Sequence, residues 1–165
     1  MIPTDFRALF AALTTARVDF VLVGGLAATL HGSARATYDV DIVYCRSTAN
    51  IDRLVEALSP LDPYLRGAPP GLPFRFDTDT VRRGLNFTLT TSRGDIDLLG
   101  EIAGSGDYER LLPDTIALTV FGLTIRCLTL DRLIASKRAA GRPRDIEAIA
   151  ELEALREERR KQEKP

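Results

Sequence analysis

Residues 20–44 read FVLVGGLAATLHGSARATYDVDIVY, and this stretch decides how the chain folds. After Asp19 the unbroken run Phe20, Val21, Leu22, Val23 has the pattern of a strand buried on both faces, and it stops at Gly24-Gly25. Two glycines let the backbone turn sharply and approach a ligand closely, and a helix expected over residues 26–30 aims its free N–H groups at that ligand. A helix start of this kind favours anions, although the same pair also serves as a plain strand-to-helix turn. The sequence Asp39-Val40-Asp41-Ile42-Val43 then alternates with the period of a strand, so both carboxylates face one side and the aliphatics the other. Like charges side by side on an otherwise apolar strand are costly unless a cation or several donors compensate them. Hard oxygen ligands suit Mg2+, which takes one or two carboxylates together with substrate phosphates. The stretch therefore reads as a phosphate cradle followed by a metal-binding strand.

Gly24-Gly25 followed by Arg35, Thr37, Asp39 and Asp41 at alternate positions resembles the signature of the DNA polymerase beta-type nucleotidyltransferase superfamily. Within it, the phrase GGLAATLHGSARATYDVDIVY is most similar to the minimal AbiEii/MenT-like branch of toxin–antitoxin systems. The resemblance covers roughly residues 18–45 and 86–155. It implies an α/β fold, a mixed twisted sheet flanked by helices with further helices at the C-terminus. It also implies transfer of a nucleoside monophosphate from an NTP to an acceptor hydroxyl, with Mg2+, or Mn2+ in its place, bound by Asp39, Asp41 and a third acid. The family takes that acid from a later strand flanked by aliphatics; Ile96-Asp97-Leu98 matches, with Asp95 in reserve. Residues 137–145, KRAAGRPRD, are similar to the Lys and Arg-Asp motifs of the same branch. The resemblance thus implies catalytic roles for Asp39, Asp41, Asp97 and Lys137, and nucleotide binding by Gly24, Gly25, Arg35, Thr37, Lys137, Arg144 and Asp145. Gly25 stands where many relatives carry Ser, which leaves phosphate binding to the backbone. The implied acceptor is RNA, with the 3′ end of tRNA in the lead, and a cognate antitoxin is an implied partner. Transfer to a protein hydroxyl, or a module that binds nucleotide without turnover, are the alternatives.

At 165 residues and 45% hydrophobic content, the chain fits one domain over residues 1–165, with 128–160 as its C-terminal helical part. No basic start precedes a long apolar run and no apolar stretch approaches 18 residues, so a cytoplasmic protein without a membrane span is expected. Cys45 and Cys127 do not make a disulfide framework, and the single histidine cannot build a His-based zinc site. A formal charge of −1 excludes a uniformly basic nucleic-acid-binding surface and leaves room for a local patch.

Around the central stretch, Phe6, Leu9, Phe10 and Leu13 predict an amphipathic helix capped by Thr4, and Ile51, Leu54, Val55 and Leu58 a second one ending at Ser59-Pro60. Residues 60–73 hold five prolines and two glycines and read as a surface loop; loops of this length near a site are often functional, but this one carries no chemical clue. Leu85, Phe87 and Leu89 predict a half-buried strand, turned at Ser92-Arg93-Gly94 into a strand over residues 95–99. There Asp95 and Asp97 again share a face, and a turn at Asp95 or a solvated edge would account for them equally well. Residues 115–120 and 123–128 are two further strands about Phe121-Gly122. Leu130, Leu133 and Ile134 begin a helix that Gly141 stops, and Lys137 falls on its inward stripe. A lysine there either snorkels to the surface or meets an anion. Lys137, Arg138, Arg142 and Arg144, with no acid among them, suit triphosphate or RNA phosphates. Pro143 is expected to open a last helix, with Asp145 in its first turn, where the helix dipole is a sufficient account. The charged tail after Leu155 is expected to fray.

Overall fold

In the computed structural model, which describes residues 2–164, helices and strands alternate along the chain. Helix α1 (Phe6–Thr15) leads into β1 (Phe20–Val23), α2 (Gly24–Leu30), β2 (Asp39–Tyr44) and α3 (Thr48–Leu58). The short β3 (Tyr64–Leu65) and α4 (Thr78–Arg83) precede the hairpin of β4 (Phe87–Thr91) and β5 (Gly94–Leu99). A small ribbon, β6 (Glu101–Ile102) with β7 (Gly106–Asp107), is followed by α5 (Tyr108–Leu111) and the hairpin of β8 (Thr115–Val120) and β9 (Leu123–Leu128). Helices α6 (Leu130–Ala140) and α7 (Ile146–Glu163) end the chain.

Seven strands form one sheet in the order β3-β4-β5-β2-β1-β9-β8. Pairing is mixed: β2 lies parallel to β5 and β1 parallel to β9, while the other neighbours run antiparallel. The expected α/β class with a mixed sheet between helices is the class observed. Leu9, Phe10 and Leu13 of α1 and Ile51, Leu54 and Leu58 of α3 are buried with Val40, Ile42, Ile96 and Leu98 of the central strands. Apolar surface removed from water at about 25 cal/mol per Å2 is the main term holding the two layers together. No helix among the described residues is long and apolar enough to cross a membrane.

Several boundaries differ from the sequence expectation. Asp5, not Thr4, caps α1 by accepting from the Ala8 N–H at 2.9 Å. The Thr4 hydroxyl instead donates to the Tyr38 carbonyl and accepts from the Asp95 N–H at 3.1 Å, tying the chain start to the entrances of β2 and β5. In the Pro-rich loop, Tyr64 and Leu65 pair with Thr90 and Leu89 as an edge strand, a position in a sheet where flanking prolines cost no ladder bond. Leu85 lies outside β4 and is 39% exposed. Pro143 opens a 3-10 turn over Pro143–Asp145 rather than α7 itself. The charged tail after Leu155 is helical: α7 runs to Glu163, with Arg156 at 3.3 Å from Asp131 and Arg159 at 3.3 Å from the His31 carbonyl.

The single histidine is structural. His31 donates from Nε2 to the Leu128 carbonyl at 2.7 Å, and burial, outweighing that bond and joined by the nearby Arg159 charge, lowers its pKa. Both cysteines are free thiols, and burial pushes that of Cys127 up to about 12.

Candidate active site

Parallel pairing of β2 and β5 sets Asp39 opposite Asp95 and Asp41 opposite Asp97. Because side chains alternate, all four acids stand on one face, and the intervening Val40, Ile42, Ile96 and Leu98 are fully buried on the other. Carboxylate oxygens of Asp39, Asp41 and Asp97 lie within 4.8 Å of one another, and Asp95 is not part of that group. Burial first, then the charges of Asp39 and Asp97 and a hydrogen bond to Asp97, push the Asp41 carboxyl up to about 8. Asp39 is also raised, by burial and by Asp97, against the opposing pull of Arg66. Three hard oxygen donors at this spacing, one of them holding a proton near neutrality when no cation is present, fit a divalent ion.

Gly24 adopts φ +72°, a conformation that side chains rarely take, and a Cβ built on it would fall 2.0 Å from Asp41 Oδ2. The turn is therefore glycine because the carboxylate occupies the space a side chain would need. Gly25 is less constrained: a Cβ there would stand 3.0 Å from the Thr37 hydroxyl. Helix α2 starts at Gly24 with Val23 as its cap, and no side chain caps it. Its first N–H groups thus have no capping partner beside the acids.

Opposite the strands, the stripe Leu133, Ser136, Lys137 and Ala140 of α6 forms the second wall of a cleft of about 530 Å3. Lys137 meets an anion rather than snorkelling freely, with Nζ 3.6 Å from Asp145 Oδ1 and a side chain only 19% exposed. Arg142 Nε donates to Asp145 Oδ2 at 2.6 Å. Burial of Asp145 works against its ionisation, but that bond and the charges of Lys137, Arg142 and Arg144 outweigh it and lower its pKa. The helix dipole is thus not what holds Asp145: it is the shared acid of a basic turn. Gly141, at φ +63° after α6, reverses the chain so that Arg142 and Arg144 return to the cleft.

Of the residues singled out in the sequence, Gly24, Gly25, Asp39, Asp41, Asp97, Lys137, Arg144 and Asp145 line this one cleft. Arg35 does not; its guanidinium is 3.8 Å from Glu147 Oε2, where it ties the loop before β2 to α7. Thr37 is also outside the lining, its hydroxyl 3.4 Å from the Asp39 carbonyl and beside the Gly25 turn. Arg138 turns away to pair with Glu153 of α7.

The residue the sequence reading missed is Arg66. It comes from the Pro-rich loop, one position after β3, and its guanidinium enters the acidic face. Nη2 donates to Asp97 Oδ1 at 2.8 Å and to the Leu89 carbonyl at 2.7 Å. Nη1 lies 3.6 Å from Asp39 Oδ2, and Nε 3.3 Å from Asp95 Oδ2. Asn86 and Glu101 also line the cleft without a sequence signal, Asn86 with its Oδ1 accepting from the Gly100 N–H at 2.9 Å.

No family model and no curated protein sequence matches the chain. Solved structures do match, two of them as follows. A candidate nucleotidyltransferase from Thermotoga maritima superposes with a TM-score of 0.56 at 16% identity, over 87% of each chain. An antigenic nucleotidyltransferase-like protein from Paracoccidioides brasiliensis gives a TM-score of 0.55 at 16% identity, over 93% of this chain and 77% of that one. The likeness is one of fold. At that identity it gives the architecture in which the four acids, the glycine turn and the basic turn are set.

Proposed function

We propose that the chain is a metal-dependent nucleotidyltransferase, moving a nucleoside monophosphate from an NTP to an acceptor hydroxyl and releasing pyrophosphate. The observation that carries this reading is the contact between turn and acid: Gly24 lacks a side chain where the Asp41 carboxylate lies, so a phosphate-sized anion at the start of α2 would sit directly against the acids. The bond formed joins the acceptor oxygen to the α-phosphorus, the bond broken joins that phosphorus to the bridging oxygen of pyrophosphate, and the acceptor proton leaves to a nearby base.

Asp39, Asp41 and Asp97 would hold the divalent ion, Mg2+ or Mn2+. When bound, the ion lends positive charge to the attacking and leaving oxygens. The remaining work falls to the chain. Backbone N–H groups of Gly24 and Gly25 hold the β- and γ-phosphates, while Lys137 and Arg144 face the triphosphate from the opposite wall. Positioning and preorganised charge supply most of the acceleration. Arg35 and Thr37 support the site from behind, Arg35 through α7 and Thr37 through the Gly25 turn. The acceptor in this reading is RNA, with the tRNA 3′ end first, because the basic turn lines the cleft; the toxin role and cognate antitoxin rest on the sequence resemblance alone.

Incubation with Mg2+, each α-labelled NTP in turn, total RNA and cell extract tests the reading. Label on an RNA species that RNase removes is the expected result. Label surviving RNase on a protein band redirects the acceptor to protein, and no transfer of any NTP, with or without Mn2+, overturns the enzyme assignment.

A further inference from the structure

Arg66 is the one basic side chain that reaches the acidic face of β2 and β5 among the described residues, and it touches Asp39, Asp95 and Asp97 together. Its placement is built in. The Arg66 N–H donates to the Thr88 carbonyl at 3.0 Å, extending the β3 pairing, and Nη2 is pinned to the Leu89 carbonyl. The side chain is 27% exposed, so the guanidinium cannot leave without breaking these bonds and baring an ion pair partly removed from water. It sits on the Asp95 side of the array, and its hydrogen bond takes Asp97 Oδ1. That bond fixes the orientation of the Asp97 carboxylate beside Asp39 and Asp41.

We propose that Arg66 is a resident cation of the cleft, a positioning residue that fixes Asp97 and Asp39 and fills the Asp95 side of the acidic array so that a divalent ion is confined to the Asp41 side. The inference rests on the reading of Asp39, Asp41 and Asp97 as metal ligands. Its physical basis is charge. Four acids and one guanidinium leave room for added positive charge, but a second positive centre a few ångströms from the first ion is repelled through a medium much less polarisable than water. An arginine, always charged and held in a fixed fork, does this where a lysine would do it with less directional hold. In the nucleotide-free protein, further cation binding would then wait for the triphosphate, which brings its own negative charge.

The test is Mn2+ binding to the nucleotide-free full chain, followed by calorimetry and by the loss of the free-ion electron paramagnetic resonance signal. Wild type is expected to take about one ion per chain, and Arg66→Met about two, the first bound on the order of tenfold more tightly. Arg66→Lys, which keeps the charge, is expected to restore the wild-type ion count. Equal affinity and count in wild type and Arg66→Met overturns the role of Arg66 alone. A lysine variant that behaves like methionine overturns the charge argument. No Mn2+ binding by either wild type or Arg66→Met, with or without ATP, overturns the metal site itself. If Arg66→Met unfolds in chelator, recovery of the folded far-ultraviolet and thermal signatures on adding Mn2+ supports the proposal, since one cation replaces another. A variant still unfolded with Mn2+ present overturns it.

Discussion

Among the described residues, Asp39, Asp95 and Asp97 on the strand wall of the cleft share one basic partner, Arg66, and Asp41 has none; on the helical wall, Lys137 and Arg142 share one acid, Asp145, and Arg144 forms no ion pair. Each wall keeps an excess of its own sign, and the two hold that excess differently. The acids are fixed by a parallel register that no rotamer change can undo, since Asp39 faces Asp95 and Asp41 faces Asp97 through the backbone ladder. The bases stand on long side chains around a glycine-stopped helix end, where they can follow a ligand. A rigid acidic wall facing an adaptable basic one suits a cation that needs fixed geometry and a polyphosphate that does not.

The largest expected effect tests the rigid wall. Asp41→Asn should abolish nucleotidyl transfer, by a factor on the order of 10^3 or more, while the fold persists. It should also stabilise the metal-free protein. With its folded pKa pushed up to about 8, Asp41 keeps a proton that the unfolded chain releases near the ordinary carboxylate value of 3.8. The folded state thus binds more protons across that window, and metal-free wild type loses stability as pH rises from about 4 to about 8. Asparagine has no such proton to hold, so the variant's advantage is absent below pH 4 and grows to about 1–3 kcal/mol near pH 7. Thermal melts of both proteins in chelator across this range check it; a variant less stable at every pH would make the acid pair a structural feature.

Gly24→Ala attacks the turn packed against the strand wall at Asp41. The added methyl would fall where Asp41 Oδ2 lies, and φ +72° strains any L side chain. About 1–2 kcal/mol of stability should go with the backbone strain. Activity should fall by about 10^2-fold, because displacing a reacting group by an ångström has that cost. Gly25→Ala, whose methyl meets only Thr37 at 3.0 Å, is the control and should lose less of both.

The adaptable wall should yield smaller effects. Lys137→Met keeps the buried stem and removes the charge, leaving Asp145 paired with Arg142. The expectation is a stable protein whose kcat/KM for NTP falls about tenfold, the scale of one lost charged hydrogen bond. Steady-state kinetics beside a thermal melt separate this from a packing defect, and unchanged kinetics would leave Lys137 as no more than the partner of Asp145.

The same contrast explains how much of the molecule could be read in its sequence. The strand wall is legible because a period of two, interrupted by aspartate, has few physical meanings: alternation alone points to Asp39 and Asp41, while Asp97 is singled out over Asp95 only by the family resemblance. Lys137 was found from helical spacing. Arg66 was not, because it lies in a Pro-rich loop whose short edge strand carries only two residues, and nothing local marks an arginine that will fold back across β4. Arg35 went the other way. Its position within the motif pointed to phosphate, but the loop carries it towards α7, where Glu147 is available. Local periodicity reports which face a side chain takes; long-range ion pairs between loop and sheet leave no such trace.

The smallest effect concerns the acceptor, and it asks how many bases of the adaptable wall remain for it. Counted from the sequence, Lys137, Arg138, Arg142 and Arg144 would give four phosphate contacts and a log–log salt slope for single-stranded RNA of about −3. The structure reduces that number. Arg138 pairs with Glu153, and Lys137 and Arg142 divide Asp145 between them, so only Arg144 and a share of the other two are free to release counterions. A slope of roughly −1 to −2 is therefore expected for RNA binding titrated between low and physiological salt. Arg144→Gln should flatten it by about 0.7, and Glu153→Gln, which frees Arg138, should steepen it by a similar amount. A wild-type slope near −3 would mean that RNA draws Arg138 away from α7. A slope near zero, together with transfer to protein in the labelling experiment, would turn the basic turn wholly towards the triphosphate and remove RNA as the acceptor.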